Sequence, residues 1–118
     1  MKNIAPNIKR QRLLIEWFYD LEADKNVIED YFRAVTSALN LRMYDEPIIF
    51  SPGGDGKDEN QGYDAFVPLI DSGISLYVWT NSKFLSLIIY TCKDFDEEKA
   101  VEVTKEFWKI KEVEFEGF

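Results

Sequence analysis

Apolar and polar positions follow two different periods along this chain, and the switches between them mark out its elements. Residues 1–9, with Ile4 and Ile8 as apolar anchors around Pro6, read as an arm. The run LLIEWFY at 13–19, directly after Arg12, is β-branched and aromatic and is closed by Asp20, Glu22 and Asp24, which predicts a central strand. From Asn26 the period lengthens. Val27, Ile28, Tyr31, Ala34, Val35, Ala38 and Leu39 recur at helical spacing, with Asn26 as N-cap and Glu29 as its capping-box partner. The helix ends near Asn40, and Asp30, Arg33 and Thr36 or Ser37 fall on its solvated side. Residues 46–50, with Pro47 near the start where a missing donor is tolerated, predict a short second strand.

The period shortens again in the stretch from Gly62 to Cys92, GYDAFVPLIDSGISLYVWTNSKFLSLIIYTC. Residues 63–70 and 74–79 form a hairpin whose turn is Asp71-Ser72-Gly73. On its second strand Ile74, Leu76 and Val78 point one way and Ser75, Tyr77 and Trp79 the other. Asn81-Ser82 makes the next turn, and 84–92 is a further strand ending at Thr91-Cys92. A second helix is capped at Asp94 with Glu97 three residues on, and buries Ala100, Val101, Thr104, Phe107 and Trp108. Its acidic first turn suits the positive end of the helix dipole and implies no ligand. Residues 109–115 suggest a final edge strand.

This order, β-α-β followed by a meander and then α-β, predicts one α+β domain over residues 1–118: a two-layer sandwich of a mostly antiparallel sheet with two helices on one face. The other face, carrying Ser75, Tyr77 and Trp79, is too aromatic for plain solvation and suggests a dimer contact or a ligand site.

Composition narrows the chemistry. Fourteen basic against twenty-two acidic residues give a formal charge of −8, which repels phosphate backbones and anionic bilayers, so neither nucleic acid nor membrane is expected as a partner. The absence of histidine removes Ser-His-Asp triads, His-Cys dyads and histidine zinc sites together, leaving proton transfer to Asp, Glu, Lys, Tyr or Cys. No metal site is expected. The single cysteine and the charged N-terminal segment fit a reducing, cytoplasmic setting. Residues 51–61 are glycine-rich and charged, but lack the Ser or Thr after Gly-Lys and the leading glycine of a phosphate-binding loop, and Asp55, Asp58 and Glu59 do not match calcium-loop spacing. They read as a solvated loop, with a substrate-gating lid as the alternative. On pattern alone Ser72 is a turn residue and Cys92 a strand-end residue.

The spacing of these two residues carries more. Asp71-Ser72-Gly73-Ile74-Ser75-Leu76-Tyr77-Val78-Trp79-Thr80-Asn81, followed by Tyr90-Thr91-Cys92, matches without a gap the core motif of the small prokaryotic S-adenosylmethionine decarboxylases: Glu-Ser-His, then His-Thr-aromatic-Pro-Glu, then Phe-Thr-Cys. The LLIEWFY strand and the acidic helix start followed by Lys99-Ala100 are similar to the family too. The resemblance implies that the chain cuts itself between Asp71 and Ser72 by an N-to-O acyl shift, and that Ser72 becomes a pyruvoyl group, the electron sink for decarboxylation. It implies Cys92 as the proton donor to the carbon that loses carbon dioxide. The family's histidines fall here on Tyr77, Gly73 and Arg12, and its second processing serine on Asp64. The resemblance thus assigns self-processing to Asp71, Ser72, Tyr77 and Asp64 and substrate contact to Trp79, Tyr77 and Asp64. Its implied substrate is S-adenosylmethionine, in spermidine biosynthesis, and its implied assembly a homodimer. The exchanged residues leave two alternatives: a decarboxylase of a different amino acid, or an uncleaved, non-catalytic homologue that binds or regulates.

Overall fold

The computed structural model describes residues 1–51 and 57–118. Six strands form one sheet: β1 (Gln11–Phe18), β2 (Ile48–Phe50), β3 (Gly62–Leu69), β4 (Ser72–Trp79), β5 (Phe84–Thr91) and β6 (Glu114–Gly117), in the order β2-β3-β4-β5-β1-β6, with every neighbouring pair antiparallel. Two helices, α1 (Lys25–Ala38) and α2 (Glu97–Trp108), cover one face. The expected two-layer α+β architecture is the one observed. β1 is interior, between β5 and β6, as its continuous apolar run required.

Alternation within the strands decides what is buried. Leu13, Ile15 and Trp17 of β1, Ala65, Val67 and Leu69 of β3, Ile74, Leu76 and Val78 of β4, and Leu85, Leu87 and Ile89 of β5 all turn toward the helices and are buried. α1 meets them with Ile28, Tyr31, Phe32 and Val35, and α2 with Ala100, Val101 and Trp108. Trp17 is the point where both helices land, with its ring 5.9 Å from both Tyr31 and Trp108. The indole N–H groups of Trp17 and Trp108 find no acceptor among the described residues, so these two rings are held by packing alone.

Tyr31 is fully buried, and its hydroxyl lies 2.6 Å from Thr104 Oγ1. Thr104 spends its own proton on the Ala100 carbonyl at 2.8 Å, so Tyr31 donates to Thr104. Burial pushes the Tyr31 phenol far above its ordinary value, against a smaller opposing effect of the Thr104 bond. Tyr19 is raised too, chiefly by burial and then by Glu22 and Tyr63. A raised folded-state pKa means stability is full below the unfolded phenol value near 10 and is lost as pH climbs above it, because only the unfolded chain then ionises. Denaturant titrations should therefore show stability falling by about 1.4 kcal/mol per pH unit above pH 10 from Tyr31 alone. Tyr31→Phe should cost about 1 kcal/mol at neutral pH and flatten that slope; an equally steep fall in the variant would remove Tyr31 as its source.

Several boundaries differ from the sequence expectation. The cap of α1 is Asp24, whose carboxylate accepts from Val27 N at 2.9 Å, not Asn26. The cap of α2 is Asp96, accepting from Lys99 N at 3.1 Å, not Asp94. Thr36, expected on the solvated side, is buried and donates to the Phe32 carbonyl at 2.7 Å. The edge strand begins at Glu114 rather than at Lys109, which instead ends α2 in a left-handed conformation, φ 54°. In the loop expected over 51–61, Asp58–Asn60 forms a single helical turn; residues 52–56, and with them most of the lid alternative and Asp55, lie outside the described residues.

Candidate functional site

The hairpin around Ser72 is tighter than its sequence suggests. Leu69 pairs with Ser72, so the turn is the two residues Ile70-Asp71, and both Ser72 and Gly73 belong to β4. Asp71 takes the left-handed conformation, φ 61°, that a glycine would adopt without cost. The peptide bond between Asp71 and Ser72 thus follows directly on a residue in a sparsely populated backbone state. Gly73 has another use. A Cβ there would come within 2.8 Å of the Phe66 ring, which leans across from β3. The space that a side chain at 73 would take is filled by a neighbouring aromatic.

Register brings Cys92 to the same place. Ser72 pairs with Thr91, and the next main-chain N–H, that of Cys92, donates to Ser72 Oγ at 3.3 Å. Thr91 is buried and its hydroxyl donates to the Lys93 carbonyl at 2.6 Å, which folds the chain sharply after β5 and leaves Cys92 exposed. Lys93 reaches back to the Asn40 carbonyl at 2.9 Å, and Ile70 N donates to the Arg42 carbonyl at 3.0 Å. The end of α1, the β3–β4 turn and the end of β5 therefore enclose a cleft of about 260 Å³ lined by Arg42, Ile70, Asp71, Cys92 and Lys93. Two cationic residues and one carboxylate thus line the same cleft as Cys92. Arg42, Ile70 and Lys93 were not legible as site residues; only the adjacency of Lys93 to Cys92 pointed there.

The structure brings together Asp71, Ser72 and Cys92, and it places Asp64, Tyr77 and Trp79 elsewhere. Asp64 and Tyr77 are direct cross-strand partners on the open face of the sheet, away from the helices. Tyr77 is five residues along β4 from Ser72 and on the opposite side, about 16 Å away along the strand. Trp79 continues the same face in an aromatic row, its ring 5.3 Å from Phe84, which stands 5.1 Å from Phe18. The open face is apolar over much of its extent, with Phe18 69% and Phe50 67% exposed and Ile48, Phe66 and Tyr90 also uncovered. Among the described residues no three His, Cys, Asp or Glu side chains converge on a possible metal position, and no helix is long and apolar enough to cross a membrane.

Comparison with known proteins places this geometry. No curated protein sequence matches the chain. Among solved structures it is similar to the adenosylmethionine decarboxylase from Aquifex aeolicus VF5, with a TM-score of 0.69 and 17% identity, covering 94% of this chain and 89% of that one. At that identity the likeness establishes the fold, the same sheet and helix layers. The family model for S-adenosylmethionine decarboxylase matches residues 16–118, a span that takes in β2 to β6, both helices, the Asp71–Ser72 bond and Cys92. With most of the sequence and the whole layer arrangement in agreement, the chain belongs to the S-adenosylmethionine decarboxylase family.

Proposed function

We propose that the protein is a pyruvoyl-dependent decarboxylase acting at the Ser72–Cys92 cleft. The observation that carries this reading is the 3.3 Å contact between Cys92 N and Ser72 Oγ, which sets the cysteine, itself on the cleft, beside the serine twenty positions earlier. The residues present fit a pyruvoyl group at position 72: the bond to be broken lies at a turn, after a left-handed Asp71, where chain ends can separate without unravelling the core. In self-processing, Ser72 Oγ adds to the Asp71 carbonyl carbon, the C–N bond breaks as the C–O ester forms, and the nitrogen takes up the hydroxyl proton; loss of the Ser72 Cα proton then expels Asp71 as a carboxylate with cleavage of the Cβ–O bond, and water replaces the nitrogen, which leaves as ammonia. The Cys92 main-chain N–H fixes Ser72 Oγ in place. When formed, the pyruvoyl carbonyl supplies the electron sink for loss of carbon dioxide from a bound amino acid. Cys92 Sγ, exposed on the cleft, holds the proton that goes to the carbon left behind. Arg42 and Lys93 are placed to attract a carboxylate.

The substrate in this reading is S-adenosylmethionine or another amino acid, the setting cytoplasmic and the pathway polyamine synthesis. The apolar open face is where two copies join as a homodimer. Asp64, Tyr77 and Trp79 stand on that face, so they contact a ligand, or assist processing, at or across the subunit contact rather than within one protomer's cleft.

A second reading is favoured by one observation: among the described residues, the only hydrogen-bond partner of Ser72 Oγ is a main-chain N–H, and no side-chain base reaches it. That arrangement suits an uncleaved homologue that binds or regulates. Denaturing mass spectrometry of purified protein separates the two. Two fragments meeting between Asp71 and Ser72, the second beginning with a blocked residue, support the decarboxylase; a single intact mass throughout purification and storage removes it.

A further inference from the structure

We propose that Arg42 assists the elimination step of self-processing, by taking up the charge of the Asp71 carboxylate as it leaves Ser72. The role rests on the decarboxylase reading above and assigns a residue to one of its steps. Local charge here runs against the composition. The chain has twenty-two acidic residues against fourteen basic ones, yet the cleft beside Asp71 is lined by two cationic residues, Arg42 and Lys93, and one carboxylate. It is short of one negative charge while the chain is whole. Breaking the bond after Asp71 makes that residue a chain end and creates the missing carboxylate at the same place, so the charges of the cleft balance only once the chain is cut.

Of the two cations, Arg42 is the uncommitted one. The Lys93 ammonium donates to the Asn40 carbonyl at 2.9 Å, whereas among the described residues no hydrogen bond or ion pair engages the Arg42 guanidinium. Its main chain, in contrast, is fixed against the turn: the Arg42 carbonyl accepts from Ile70 N at 3.0 Å, Met43 bridges to Leu69, and Tyr44 N donates to the Pro68 carbonyl at 2.8 Å. A guanidinium on such a base, permanently charged and shaped for a carboxylate, suits a partner that appears only during the reaction. In the elimination the Ser72 Cα proton leaves, its electron pair forms the Cα–Cβ double bond, and the Cβ–O bond breaks with its pair going to Asp71. Negative charge grows on the departing carboxylate, so a cation that meets it there favours the transition state over the neutral ester before it. Arg42 is exposed, which makes this attraction sensitive to salt.

The test follows the full-length chain as it is made by cell-free translation, sampled over time by denaturing mass spectrometry with and without hydroxylamine, which cuts the ester between Asp71 and Ser72 and leaves the peptide bond. In Arg42→Ala and Arg42→Gln the ester should still form, and its disappearance should slow about tenfold or more, the loss expected for one charged hydrogen bond. Arg42→Lys should recover most of the rate. Salt at about 1 M should slow the parent and leave Arg42→Ala unchanged. Loss of the ester in Arg42→Ala at the parent's rate overturns the proposal. So does a variant that never forms the ester, because Arg42 would then act in the acyl shift or in holding the turn. A parent that stays whole and resists hydroxylamine removes the decarboxylase reading, and the role of Arg42 with it, so the parent's own time course tells the two failures apart.

Discussion

Gly62→Ala is expected to destabilise the protein by about 3 kcal/mol, the upper end of what overpacking costs, and to lower Tm by about 10–15 °C. Gly62 opens β3 opposite Trp79, and an added Cβ would stand 1.7 Å from the Val78 carbonyl oxygen and 2.8 Å from its carbon. Those are main-chain atoms of the neighbouring strand, so no rotamer change relieves the clash; β3 and β4 must part or the backbone at 62 must turn. Either response disturbs the Gln61 carbonyl, which accepts from both Thr80 N and Thr80 Oγ1 at 3.0 Å and closes this end of the hairpin. Chemical denaturation of the variant measures the loss, with Ser75→Ala, in the same sheet but half-exposed, as a control expected within about 0.5 kcal/mol of the parent. A Gly62→Ala protein as stable as the parent would mean that the close approach of the two strands at this point is not required.

The strands and helices were legible because the burial pattern has a clear period: Ile74, Leu76 and Val78 against Ser75, Tyr77 and Trp79 identified the covered and open faces of β4 without any structure. The boundaries were less so, for reasons that lie in tertiary contacts. Asp94 and Asp96 are equally good caps by type. Gln11 of β1 decides between them, since its side-chain amide both donates to the Phe95 carbonyl at 2.9 Å and accepts from Phe95 N at 3.0 Å, holding that residue outside the helix. At the hairpin the sequence offers one glycine, and assigning it to the turn was the economical reading. In the structure Asp71 bears the left-handed conformation instead, and the glycine serves the packing of Phe66.

The site divides along the same line. The family resemblance put Ser72 and Cys92 together, and the register of β4 on β5, with Ser72 opposite Thr91, gives the physical reason. That resemblance did not separate Asp64 and Tyr77 from them, although strict alternation from Ser72 to Tyr77, an odd number of residues apart, already puts Tyr77 on the other face of the sheet. Nor could it find Arg42, which reaches the cleft only because the chain after α1 lies against β3, with Met43 bridging to Leu69.

Ser72→Ala and Cys92→Ala should fail at different stages if the roles proposed for them hold. Without Ser72 Oγ there is no nucleophile for the acyl shift, so Ser72→Ala should remain a single chain and release no carbon dioxide from carboxyl-labelled substrate. Cys92→Ala should still cleave. The contact that orients Ser72 comes from the main-chain N–H of residue 92, which the substitution keeps, and the exposed thiol is not part of the packing that sets the turn. Its turnover should nevertheless fall by about 10²–10⁴-fold, the usual contribution of a positioned proton donor. Denaturing mass spectrometry reads the first step and labelled carbon dioxide the second, on the same preparations. Loss of cleavage in Cys92→Ala would move the thiol into processing, and full turnover in that variant would pass the proton to another group on the cleft, of which Lys93 is the nearest in sequence. The division of labour follows from a single geometric fact: one residue offers its backbone to the serine and its side chain to the cleft.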